Sequence, residues 1–151
     1  MGTAPPRTGE SEATGAWAIG CTAVQMSFLR APASVPLVRT LVRGIVGSWK
    51  FGELFVQDIE LVASELSTNA VLHGVMSSLG CFDVRLVPQP NGLRIEVADA
   101  GTGTAVVQSE CSPTAEGGRG LLLVDCLCEH WGVDETRDGT VVWAELRTDA
   151  A

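Results

Sequence analysis

A chain of 151 residues with a net charge of −8 fits one domain, long enough to bury about two thirds of the surface its unfolded form exposes. Apolar residues make up 46% and charged residues 19%, a composition that fits a compact fold and excludes wholesale disorder. The acidic balance, with Lys50 the one lysine and nine arginines scattered, speaks against nucleic acid, whose phosphates are gripped by clustered Lys and Arg.

The start, MGTAPPRTGESEATG, is rich in Pro, Gly, Ser, Thr and Glu and reads as a disordered tail over residues 1–18. It has no basic start followed by an apolar stretch, so it is not read as a secretory signal. A single folded domain is expected over residues 19–148, followed by a short tail at 149–151. The longest apolar runs, such as GLLLV at 120–124, are too short to span a bilayer. Five cysteines (Cys21, Cys81, Cys111, Cys126, Cys128) without an export signal suggest reduced thiols in a cytoplasm. Cys126-Leu-Cys128-Glu-His130 has no second ligand pair at zinc spacing and reads as small side chains on a helix.

VQMSF (24–28) alternates apolar and polar residues, as a half-buried strand does. Ser34 is a good N-cap, Pro36 suits a first turn, and Val38, Leu41, Val42, Ile45 and Trp49 then recur at helical spacing. Arg39 and Arg43, opposite that stripe, offer either a solvated face or the surface of a homodimer or partner complex. A second helix is expected from about Leu54 to His73, with Phe55, Ile59, Val62 and Leu66 as its stripe and Gly74 as its stop. FDVRLV (82–87) and LRIEV (93–97) alternate around Pro-Gln-Pro-Asn-Gly as an antiparallel hairpin. Residues 101–118 hold Gly, Ser, Thr and Pro with little periodicity and read as a mobile loop. LLLVDCLCEHW (121–131) is expected to be a third helix closed by Gly132, and GVDET, RDG and VVWAEL a second hairpin. This order predicts an α+β fold: a two-layer α/β sandwich with three helices on one face of a mixed, mostly antiparallel sheet.

ELSTNAVLHG (65–74) places Glu65, Asn69 and His73 four residues apart, along one edge of the second helix. With Phe55 at zero and about 100° per residue, Asn69 falls near −40° and His73 near 0°, continuing the core stripe, while Glu65 flanks it near −80°. Buried polar groups must find partners, so a stripe that turns polar in its last turns marks either a helix end or an interior site. His73 fits a helix end; Glu65 and Asn69 lie one to two turns inside.

Two glycine segments complement them. In VADAGTG (97–103), Asp99 ends an alternating strand before Gly101 and Gly103, where a flat ligand can approach backbone without side chains. In EGGRGLLLV (116–124), glycines run into a helix, whose free N–H groups suit phosphate. Taken alone, each segment is equally a turn or a loop. P-loop, G-x-G-x-x-G and G-x-S-x-G patterns are absent.

In this order and spacing, E-L-S-T-N-A-V-L-H-G, D99-A-G-T-G103 and G118-R-G-L121 resemble the N-box and the two glycine boxes of the GHKL (Bergerat-fold) ATPases. The resemblance is nearest to the small anti-sigma-factor serine/threonine kinases and related ATP-binding regulators of actinobacteria, and covers about residues 24–147. It implies Mg²⁺ and ATP as cofactors. Asn69 would ligate Mg²⁺ through its side-chain oxygen, and Glu65 would orient or deprotonate the attacking hydroxyl. Asp99 would accept the adenine amino group, with Gly101 and Gly103 lining the base pocket. Residues 104–117 would form the ATP lid, and Gly118, Arg119, Gly120 and Leu121 would hold phosphates. Thr140, following Gly139 where many relatives carry lysine, joins the ATP-binding set. The implied partners are an anti-anti-sigma (STAS-type) protein, the acceptor of the phosphoryl group, and a sigma factor. A non-catalytic regulator that acts by sequestering a partner is the alternative, and a histidine-kinase catalytic domain a third.

Overall fold

The structure is a computed structural model that describes residues 22–73, 80–99, 119–137 and 139–148. Its elements run β1 (Val24–Leu29), α1 (Ser34–Ser48), α2 (Glu53–His73), β2 (Cys81–Gln89), β3 (Gly92–Asp99), α3 (Arg119–Leu127), β4 (His130–Thr136) and β5 (Gly139–Arg147). The strands form one sheet in the order β1-β2-β3-β5-β4. Each described pairing is antiparallel, where the sequence allowed for a mixed sheet.

Alternation decides which way each strand faces. Phe82, Val84 and Leu86 on β2, Leu93, Ile95 and Val97 on β3, and Val142, Ala144 and Leu146 on β5 point to one side and are buried. Against them lie Val38, Val42 and Val46 of α1, Val56, Ile59, Val62, Ala63 and Leu66 of α2, and Val124 of α3, in one continuous core. This is the two-layer sandwich expected from the sequence. The opposite sheet face is polar: Arg94 pairs with Glu96 at 2.9 Å and Glu145 at 3.1 Å, and its guanidinium lies 4.2 Å above the Trp143 ring.

Local expectations meet three corrections. Ser34 does not cap α1; the N-cap is Ala33, and the Ser34 hydroxyl donates back to the Leu29 carbonyl at 2.6 Å, tying the helix start to the end of β1. Leu41 is 45% exposed, because the buried row is Val38-Val42-Val46, flanked by Ile45 and Trp49, which pack against the core as expected. The third helix stops at Leu127, and His130, Trp131 and Gly132 belong to β4, where pairing with β5 outweighs helical periodicity. Cys128 and His130 are therefore not on the helix as the sequence suggested. No helix among the described residues is long and apolar enough to cross a membrane.

Candidate functional site

The buried row of α2 runs through Val56, Ile59, Ala63, Leu66 and Ala70. Its centre lies about 50° beyond Phe55, at 100° per residue, so Asn69 sits roughly 90° and Glu65 roughly 130° off the core direction. This corrects the expectation that Asn69 continues the core stripe. Both residues are half-buried on the flank of the helix. The flank is not free surface, because the start of α3 packs against it: a Cβ added to Gly120 would run into the Glu65 carboxylate. Gly120 thus permits a close approach of the Glu65 carboxylate, which any side chain there would push aside. Leu121, the next residue, is half-buried, and Arg119 is the first residue of α3.

A second group assembles at one end of the sheet, where β1, β2 and β3 meet the start of β5. Asp99 is the last residue of β3, and its Cα partners are Phe82 on β2 and Thr140 on β5. Register alone therefore sets the Asp99 carboxylate beside the buried Thr140. The carboxylate, 16% exposed, forms an ion pair with Arg30, whose side chain is 7% exposed. Arg30 follows β1, and its backbone N–H donates to the Gly80 carbonyl at 2.9 Å. A cleft of about 260 Å³, lined by Cys81, Asp83, Ala98, Asp99, Thr136, Thr140 and Val141, opens at this end on the outer sheet face, where alternation points Asp83, Ala98 and Val141 away from the helices and from Arg30. One wall is polar: Asp83 accepts hydrogen bonds from the Ser27 hydroxyl and from Gln25 at 3.3 Å.

The structure thus brings Glu65 to Gly120, and Asp99 to Thr140. Asn69 lies one turn beyond Glu65 on α2, and α2 touches both β3 and β5. Gly101, Gly103 and Gly118, and the lid assigned to 104–117, lie outside the described residues, as does the side chain of Arg119. Arg30 and Gly80 are site residues that the sequence reading missed. The available signal was phase. Arg30 stands two residues after the inward Phe28, and Gly80 two before the inward Phe82, so both continue the buried sheet face.

Other predicted features find structural work. Arg43 bonds Glu60 at 2.9 Å and also pairs with Glu53, and Arg39 reaches Glu60 at 3.4 Å, so the α1 arginines bind α1 to α2. The Cys128 thiol is pushed up to about 12, first by burial and then by the carboxylates of Asp125 and Asp58, which keeps it a thiol at neutral pH.

Comparison with known proteins yields three kinds of match. A family model described as a histidine kinase-like ATPase domain matches residues 28–146. Two proteins named anti-sigma F factor, from Thermoanaerobacter sp. and Thermoanaerobacter pseudethanolicus, are each 24% identical over 90 residues. Those matches cover 60% of this chain and 63% of each relative's length. A crystal structure of the RsbU and RsbW domains of a Mycobacterium tuberculosis protein superposes with a TM-score of 0.62 at 17% identity. It covers 84% of this chain and 32% of that one, and so speaks to the fold.

Proposed function

The chain belongs to the histidine kinase-like ATPase domain family, and on that premise we propose that it is an ATP-binding regulator of the anti-sigma-factor type, phosphorylating an anti-anti-sigma partner and sequestering a sigma factor. The proposed domain is 19–148, working in the cytoplasm, where its cysteines would stay reduced. The observation that most supports this reading is the Glu65 carboxylate lying against Gly120 at the start of α3. It puts an acceptor for a hydroxyl proton beside a helix start whose N–H groups suit phosphate.

The donor set suits Mg-ATP. Asn69 offers an amide oxygen, the hard donor that Mg²⁺ prefers, and Asp99 with Thr140 offers an acceptor and a hydroxyl to a purine edge. When bound, Mg²⁺ supplies charge neutralisation on the phosphates. The chain's own share is alignment: Glu65 holds and takes the proton of the attacking serine or threonine hydroxyl, and Asn69 keeps the metal one turn away. Gly118, Arg119, Gly120 and Leu121 cradle phosphate, with Arg119 the countercharge. Gly101 and Gly103 line the base.

The test is transfer of label from Mg-ATP to the anti-anti-sigma partner. Wild type should label the partner and Glu65→Ala should not, with ATP binding kept. Labelling that survives in Glu65→Ala removes Glu65 from the role of base.

A second reading, a regulator that acts by partner binding without turnover, draws on the ion pair in which Arg30 already holds Asp99. The same experiment separates the two: partner bound but never labelled by wild type supports the second.

A further inference from the structure

Asp99 ends β3 on the buried side of the sheet, and Arg30 stands on the same side two strands away. Between them lies β2. The row Phe28–Phe82–Asp99 crosses the three strands directly, and the Phe28 and Phe82 rings stack with centroids 5.6 Å apart. Arg30 is one pleat further along β1, level with Gly80. To reach Asp99 its side chain must cross β2 at Gly80, and it does so through the volume a side chain there would fill: a Cβ on Gly80 would overlap the guanidinium. A buried arginine is costly unless it is paired, and Asp99 is the carboxylate it reaches. A guanidinium presents up to five N–H donors in a fixed fork. Paired with Oδ1 of Asp99, it competes for an acceptor that an incoming purine amino group would use.

We propose that Arg30 is a latch on the base-accepting carboxylate: it holds Asp99, and the exocyclic amino group of an adenine nucleotide must displace it. The proposal rests on the nucleotide reading of this site. Gly80 is the passage that makes the latch possible. When two donors compete for one acceptor, the apparent affinity of the ligand falls by the fraction of molecules in which the acceptor is open. The latch therefore sets nucleotide affinity without touching the phosphates, and any partner contact that draws Arg30 aside would tighten nucleotide binding by the same factor.

Two variants open it by different routes. Arg30→Ala removes the competing donor and leaves a carboxylate short of one, which adenine can supply. Gly80→Ala keeps Arg30 but displaces only the flexible end of its side chain, so it tests the latch even if Arg30→Ala fails to fold. Calorimetric titration with Mg-ATP should give binding about tenfold tighter, or more, in each folded variant than in wild type. Inosine triphosphate, which lacks the 6-amino group, should gain nothing. Unchanged or weaker Mg-ATP binding in Gly80→Ala overturns the latch while leaving the nucleotide site standing, as does equal tightening for inosine triphosphate. If neither wild type nor Gly80→Ala binds Mg-ATP, the nucleotide reading itself falls, and the latch with it.

Discussion

The two halves of the candidate site are built on different principles. At the sheet end, register does the positioning: Asp99 and Thr140 face each other because β3 and β5 pair there, and a buried arginine closes the group. On the helix side, clearance does it: Glu65 meets the start of α3 because residue 120 has no side chain. A ladder tolerates changes that preserve the pleat, whereas any side chain at residue 120 displaces the Glu65 carboxylate itself. Base recognition should therefore degrade gradually when the ladder around Asp99 is changed, and chemistry at the phosphate end abruptly when Glu65 is moved.

The largest effect should come from the helix side. Glu65→Ala removes the proposed proton acceptor, and phosphoryl transfer to the partner should fall by about 10²–10⁴-fold, read as initial labelling rate, with Mg-ATP affinity near wild type. Gly120→Ala should cost transfer as well, since a methyl group must push the Glu65 carboxylate or α3 aside. If Gly120→Ala transfers at the wild-type rate, the clearance argument is wrong.

Beneath the sheet end, Phe82→Ala should lower unfolding free energy in urea by about 3–5 kcal/mol, because Phe82 is buried against Phe28 directly beside Asp99. A loss under 1 kcal/mol would mean that the stacked pair does not set the register there. A milder change on the same ladder, Thr140→Val, keeps the shape and removes the hydroxyl, and should weaken Mg-ATP roughly three- to tenfold.

How much of this could be read from the sequence follows the same division. The hairpins were legible because period-two alternation fixes both strand and face, but the non-local β3–β5 pairing that sets Asp99 beside Thr140 was not. The far end of α3 was not: LLLVDCLCEHW keeps a helical apolar spacing through Trp131, but His130 and Trp131 pair with Glu145 and Ala144, and sheet pairing decides. Nor did helical phase alone orient Glu65. Counting from Phe55 put Asn69 on the core stripe, whereas the buried row is centred nearer Leu66 and Ala70. The Arg30–Asp99 pair joins residues far apart in the chain across an intervening strand, and no local pattern encodes such a meeting.

Smaller effects concern the parts that support both halves. Cys128 should react with iodoacetamide at pH 8 far more slowly than the exposed Cys81 and Cys126, because its thiol is pushed up to about 12. Mass-spectrometric mapping of alkylation rates checks this, and Cys128 modified first would contradict its burial. The α1–α2 ion pairs should matter least. Arg43, bonded to Glu60 and Glu53, lies above its ordinary range, and Glu53, bonded by Arg43, lies below its ordinary 4.5. A lowered carboxyl contributes stability that is present above its ordinary value and lost as pH falls through the lowered one. Arg43→Ala should therefore cost a small, salt-sensitive amount near pH 7, with the Glu53 share of the difference from wild type disappearing below about pH 4.5. A difference that grows as the pH drops would show the pairing to be misassigned.

Whether a nucleotide base meets Asp99 at the sheet end is decided by calorimetric titration of wild type and Asp99→Asn with Mg-ATP. Wild type should bind saturably, one to one, and a folded Asp99→Asn should lose that binding. Equal binding by both proteins, or none by well-folded wild type, would contradict a base contact at Asp99.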